Sequence, residues 1–207
     1  MLRVVRGQES PRAVVLQLSH SSDPDVRKWI VTNASPRLGQ PIVDMLVRVA
    51  TLDEREDIAD AAIDRVVDLA PVAAAAFWPS LRSRLGSEDQ MDVEVAAWKL
   101  LTARDPELPQ EIEAVATRWQ DSDYIADSFR VLRWCLARDR DAIAAHVKAQ
   151  DLTLLPWLVK AAFYLDDGEV WDAIAFAAER GSDHRAKRQY ARALRFRYSN
   201  ALPDVED

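Results

Sequence analysis

Helix-start signals recur along the chain at steps of 30 to 35 residues, and this spacing constrains the fold more than any other feature. The clearest signal lies in SSDPDVRKWIVTNAS, residues 21–35. Asp23 can accept hydrogen bonds from the first amides of a helix, and Pro24 suits the first helical position. Ser35 precedes a proline and so avoids the α region, which ends the helix.

Similar signals follow at regular intervals. Thr51–Glu54 and Ser87–Gln90 fit the capping box, in which two polar side chains cap the same helix end. The later starts depend on single side chains, namely Asp121 or Ser122, Thr153, and Ser182 or Asp183. Helices are therefore predicted to begin near residues 24, 54, 89, 122, 154 and 184. Second helices are predicted at 11–19, 41–50, 71–85, 107–119, 139–149 and 169–180.

This periodicity predicts an all-α fold, a right-handed superhelix (solenoid) of about six antiparallel helix pairs. Apolar residues at i, i+3, i+4, i+7 and i+8 support it in three helices, beginning at Val93, Leu155 and Val170. The 154–165 helix is apolar nearly all round, so we expect neighbours on both sides to bury Leu155, Leu158, Ala162 and Phe163. Pro79 should kink or split the 71–85 helix.

Length and composition exclude several classes of protein. The chain has 207 residues, a formal charge of −7 and one cysteine, which excludes an internal disulfide framework. No apolar run approaches the roughly 20 residues of a membrane span, and no secretory signal is visible, so we expect a cytoplasmic protein. One domain is expected over residues 1–200, followed by a flexible acidic tail at 201–207.

Three segments resemble known repeat families. DPDVRKW, at residues 23–29, resembles the opening of the second helix in HEAT-type repeats, and residues 23–50 look like a unit of the leucine-rich repeat variant family. Residues 156–181 resemble a tetratricopeptide unit, with Trp157, Ala161, Tyr164 and Ala173 at matching offsets. The resemblance implies an α-solenoid that binds proteins or peptides. Some HEAT-like proteins bind DNA, and a few are DNA glycosylases.

The sequence contains no recognisable catalytic or metal-binding motif. His20, His146 and His184 lack metal-ligand spacing, and no glycine-rich phosphate loop is present. Cys135 lies between Trp134 and Leu136 in a predicted helix, which indicates a buried, inert thiol. The segment LDDGEVWD, residues 165–172, lacks the spacing of a calcium loop and is predicted to be a helix–helix turn. We therefore expect no enzyme activity, metal or cofactor.

Most of the seven tryptophans are expected in the core. Trp98 falls off the main apolar stripe of its helix, beside Val95. It could pack against the next helix pair or lie on a binding face.

Two charged stripes are candidate binding surfaces. An acidic stripe follows one face of the predicted 54–69 helix and comprises Asp53, Asp57, Asp60, Asp64 and Asp68. A basic stripe follows one face of the last helix and comprises Arg185, Arg188, Arg192 and Arg195. Like charges at this spacing cost helix stability, which favours a binding role over a simple solvated face. We expect both stripes to face solvent.

These features favour a monomeric, non-enzymatic scaffold that binds another protein or peptide. An acidic immunity- or inhibitor-type protein, which masks a basic partner, is a variant of this hypothesis that depends on the acidic stripe. Nucleic-acid binding through the C-terminal arginine helix is the alternative, although the overall negative charge opposes it. A HEAT-like DNA glycosylase is a further alternative and would need a carboxylate near aromatic residues in a basic groove. Asp127 near Trp134, or Asp172 beside Trp171, are its candidates.

Overall fold

The computed structural model describes residues 10–35 and 39–201, with the side chains of 199–201 excepted. These residues form twelve α-helices and one 3₁₀ helix, and no strand occurs among them. The α-helices are α1 (Pro11–Leu18), α2 (Pro24–Asn33), α3 (Gln40–Leu52), α4 (Glu56–Leu69), α5 (Trp78–Arg84), α6 (Gln90–Thr102), α7 (Leu108–Arg118), α8 (Asp123–Ala137), α9 (Arg140–Lys148), α10 (Leu155–Leu165), α11 (Gly168–Arg180) and α12 (His184–Ala201). The predicted all-α class is confirmed, and the six predicted helix starts lie within two residues of the observed ones.

Contacts group the chain into two compact units. The first comprises Met1–Ser83 and Thr102–Asp105, and the second comprises Arg84–Leu101 and Pro106–Asp207. In the first unit, α2 and α3 both pack on α4. In the second unit, α8 packs on α10 and α9 packs on α11. Packing of a helix on the next but one is the arrangement of stacked helix pairs, so each unit is compatible with a helical repeat.

Within the described part of the chain, no helix has the combined length and hydrophobicity of a membrane span. The expected single domain over residues 1–200 stays a prediction. Residues 202–207 of the expected acidic tail lie outside the described part of the chain.

Four predicted start signals cap their helices. The carboxylate of Asp23 accepts a hydrogen bond from the Asp25 amide at 2.9 Å. Asp89 does the same for the amide of Met91 at 2.8 Å, so Asp89 rather than Ser87 caps α6. The starts of α8 and α12 are capped by Ser122 (to the Ile125 amide, 3.3 Å) and Asp183 (to the Ala186 amide, 2.8 Å). Local polar chemistry therefore sets where these helices begin.

Two predicted caps are wrong. Thr51 lies in the last turn of α3, while α4 begins at Glu56 without any side-chain cap. The Thr51 hydroxyl instead donates to the Val47 carbonyl of α3 at 2.8 Å. Thr153 does not cap α10, which also begins without a side-chain cap, because its hydroxyl donates to Asp151 at 2.8 Å. In both places a competing partner engages the polar side chain.

The predicted break at Pro79 is confirmed. A 3₁₀ helix, Ala73–Phe77, precedes α5, which begins at Trp78. Pro79 thus lies in the first turn of α5, where its missing amide hydrogen breaks no helical hydrogen bond.

The packing of α10 corrects one core residue. Leu155, Leu158 and Ala162 are buried as predicted, but Phe163 is 39% exposed. Trp157 and Ala161 are buried instead, so the buried face of α10 is rotated away from the predicted stripe. The Phe163 ring packs at the surface, edge-to-face on Trp171 at 4.9 Å between ring centroids.

Candidate functional site

The basic stripe lies on the solvent side of α12. Ala186, Tyr190 and Ala193 form the buried side of this helix, at i, i+4 and i+7. Arg185, Arg188, Arg192 and Arg195 are all exposed, as the sequence predicted. We call these four residues the Arg face. Because they lie opposite the buried residues on the helix circumference, none of them is needed to pack α12.

None of the four Arg-face side chains forms an ion pair with a described residue. Arg197, on the inner side of the same helix, behaves differently. Its guanidinium pairs with Asp166 at 3.2 Å and lies 4.5 Å from the centroid of the Trp171 ring. The inward arginine of α12 is therefore used in packing, whereas the outward arginines keep their donors in water.

The acidic stripe is partly used inside the first unit. The Asp53 side chain is almost fully buried against Arg27, and the hydrogen bonds from Arg27 lower the pKa of Asp53. Asp57 pairs with Lys28 at 2.7 Å and with Arg55 at 3.0 Å, and these bonds lower its pKa as well. The expectation of one solvent-facing acidic face is therefore wrong at Asp53.

The remaining acidic-stripe residues differ in exposure. Asp60 and Asp64 are half-buried, and Asp68 is exposed. Because Asp53 is buried, Asp57 is paired, and Asp60 and Asp64 are half-buried, the stripe offers less exposed charge to a partner than its pattern implies.

Trp98 packs against the next helix pair, which was one of its two expected roles. It is buried, and its indole N–H donates to the hydroxyl of Ser128 on α8 at 3.0 Å. Among the other tryptophans, Trp29 departs from the expected core location, since it is 62% exposed on α2. The buried residues of α2 are Ile30 and Val31, so Trp29 lies outside its packed face.

A buried polar network in the second unit was missed from the sequence. Glu94 on α6 is only 3% exposed. One of its carboxylate oxygens accepts both the indole N–H of Trp157, at 3.1 Å, and the ammonium of Lys160, at 2.6 Å. The Lys160 ammonium also lies 5.6 Å from the centroid of the Trp98 ring. Tyr124 packs edge-to-face on Trp157 at 5.2 Å between ring centroids. This network ties α6, α8 and α10 together.

The sequence did hold one signal for this network. Lys160 is the one charged residue of α10, a helix that is otherwise apolar nearly all round. A charge in such a helix needs a partner of opposite sign, but the sequence gives no indication that the partner is Glu94, 66 residues earlier.

Cys135 and His146 are engaged in helix packing. Cys135 is buried, and burial raises the pKa of its thiol to about 12, so the reactive thiolate is scarce at neutral pH. His146 stacks on Trp134 at 4.8 Å between ring centroids and contacts Asp151 at 3.1 Å. No group of three or more histidine, cysteine or acidic residues in the described ranges could hold a metal ion.

The segment 165–172 is the predicted helix–helix turn. Asp166 ends α10 in the left-handed conformation, with φ of 44°, and Asp167 caps α11 through the Glu169 amide at 2.9 Å. Asp166 also accepts the indole N–H of Trp171 at 3.0 Å. These carboxylates are engaged in chain reversal and in packing.

Comparisons of the chain with protein-family models, with curated proteins and with solved structures found no match. The case for a function therefore depends on the residues and geometry described above.

Proposed function

We propose that this protein is a non-enzymatic, monomeric binding module of HEAT-like or tetratricopeptide-like helix pairs, and that its Arg face binds an acidic segment of another protein. Four exposed guanidinium groups on one side of one helix carry the proposal. Guanidinium groups bind carboxylates through paired hydrogen bonds, which makes arginine the usual residue for recognising acidic groups. Arginine is also enriched among residues that dominate binding energy at protein interfaces.

The cost of the Arg face within the free protein supports a binding role. Arg188, Arg192 and Arg195 are separated by four and three residues, so their charges repel along one helix face. No ion pair with a described residue relieves that repulsion. An acidic partner would relieve it, and the free energy gained would contribute to binding.

A protein partner fits the chain better than a nucleic acid. Residues 180–198 hold seven Lys or Arg and one Asp, a local charge of +6 within a chain of −7. The rest of the chain therefore carries −13 and opposes long-range attraction of a polyanion. A short acidic segment can contact α12 alone. Nucleic-acid binding remains the alternative outcome of the experiment below.

The two other hypotheses have weaker support. A partner-masking role of immunity type depended on the acidic stripe, where Asp53 and Asp57 are already paired inside the chain. Glycosylase chemistry needs a carboxylate that substrate can reach. Of its two candidates, Asp127 pairs with Arg130 at 3.3 Å and Asp172 is exposed on α11. The carboxylate that does lie among aromatic residues, Glu94, is buried and already bonded to Trp157 and Lys160.

The proposal predicts that Arg188→Glu with Arg192→Glu weakens binding of a fluorescein-labelled peptide of Glu and Asp at least about tenfold, the effect of roughly 1.4 kcal/mol. Reversal replaces two attractive contacts with repulsive ones. Fluorescence anisotropy measures the affinity at low and at high salt. Binding should weaken with salt, because the Debye length falls to about 10 Å at 0.1 M.

A matched control separates the Arg face from net charge. Arg12→Glu with Lys148→Glu changes the net charge equally at two exposed residues on α1 and α9. This control should bind the acidic peptide nearly as well as the unaltered protein. An equal loss of affinity in both double variants would show that net charge alone explains the effect. That result would contradict the proposal. Tighter binding of a DNA duplex than of the peptide would favour the nucleic-acid alternative.

A further inference from the structure

Two exposed phenylalanines lie beside the Arg face. Phe196 is 60% exposed on α12, and its ring meets that of Phe163 on α10 edge-to-face, at 5.6 Å between centroids. We call Phe163 and Phe196 the Phe pair. Phe196 follows Arg195 directly and lies one helical turn after Arg192, so it borders the Arg face. An apolar surface and a basic surface are therefore contiguous.

The Phe163 ring of the Phe pair packs on residues beneath it. Phe163 packs on the buried indole of Trp171, and Arg197 covers that indole at 4.5 Å from the ring centroid. Asp166 in turn pairs with Arg197 at 3.2 Å. An aromatic ring that packs on a buried residue, as Phe163 does, loses less conformational entropy when a partner covers it, which favours affinity.

The two rings of the Phe pair are not part of the hydrophobic core. Phe129 of the same unit is fully buried, whereas both members of the Phe pair remain in contact with water. Aromatic residues and arginine are the residue types enriched in the core of protein interfaces, and exposed aromatic groups beside polar ones mark such sites. The two surfaces together fit a partner that presents both an anionic and an apolar group.

We propose that the Arg face and the Phe pair form one composite surface, which takes an acidic protein segment carrying an aromatic or branched aliphatic side chain next to its carboxylates. The carboxylates would pair with Arg192 and Arg195, and the apolar side chain would cover Phe196 and Phe163. This inference rests on the proposed function of the Arg face and specifies the chemistry of its partner.

Two labelled peptides test the inference. They carry the same Glu and Asp residues and differ at one central position, which is Leu in one peptide and Ser in the other. The full-length protein should bind the Leu peptide about tenfold more tightly, since covering an exposed aromatic surface adds to the charge contacts. Phe196→Ala should remove that preference while leaving binding of the Ser peptide and its salt dependence unchanged. Phe176→Ala, at another exposed phenylalanine, on α11, is the matched control and should retain the preference.

The outcomes separate the two proposals. If both peptides bind the unaltered protein equally, the composite surface is wrong while the proposed function stands. If neither peptide binds, both are wrong. Circular dichroism checks that Phe196→Ala is folded, and Phe163→Ala provides a second variant if it is not. A preference for the Leu peptide that survives both substitutions also overturns the inference.

Discussion

Phe129→Ala is expected to lower the free energy of unfolding by roughly 3–5 kcal/mol, the range for truncation of a buried aromatic side chain. Phe129 lies in the middle of α8 and is fully buried. Its removal loses the transfer free energy of the ring and leaves a cavity that the surrounding helices can only partly fill. Denaturation in urea, monitored by tryptophan fluorescence, measures the change.

Phe163→Ala is the matched comparison for this core prediction. Phe163 is on the surface of α10 and keeps part of its ring in water. Its truncation should therefore lower the free energy of unfolding by only about 1–2 kcal/mol. Equal losses for the two variants would contradict the surface position of Phe163 on α10.

Lys160→Met is expected to lower the free energy of unfolding by roughly 3 kcal/mol. This is the lower end of the range for removing one partner of a buried ion pair. The substitution leaves the Glu94 carboxylate buried with the Trp157 indole as its remaining donor in the network described above. The lower end applies because the Lys160 side chain is itself 44% exposed. Chemical denaturation at neutral pH provides the value.

Glu94→Gln should be milder, at about 1 kcal/mol. The glutamine carbonyl can still accept from Trp157, and the Lys160 ammonium can return to water because its side chain reaches the surface. The asymmetry between these two substitutions is the diagnostic result. If Glu94→Gln lowered the free energy of unfolding as much as Lys160→Met, the pairing of Glu94 with Lys160 in this network would be contradicted.

Helix positions could be predicted from the sequence because their signals are local. Asp23 and Ser122 cap the helices that directly follow them. Pro79 splits the predicted 71–85 helix close to its own position. Thr51 failed as a cap because α3 extends through Leu52, so the Thr51 hydroxyl lies inside that helix and donates to the Val47 carbonyl at 2.8 Å. How far α3 extends depends on its packing against other helices, which capping rules do not contain.

Of the candidate site, only the part that depends on helical periodicity could be predicted from the sequence. The outward side of α12 follows from helical periodicity, since its buried residues and its exposed arginines each recur at the helical repeat. The acidic stripe has a similar periodicity, but the partners of Asp57 include Lys28 on a different helix. The Glu94 network joins three helices, and its members are not related by any sequence spacing rule.

Nuclear magnetic resonance titration can show directly whether the Arg face of α12 is the binding surface. The ¹⁵N-labelled protein is titrated with the Leu-containing acidic peptide, and amide chemical shifts are followed. We expect the largest shifts on α12, between Arg185 and Phe196. Shifts centred in the first unit, or an unperturbed α12 in the presence of bound peptide, would contradict it.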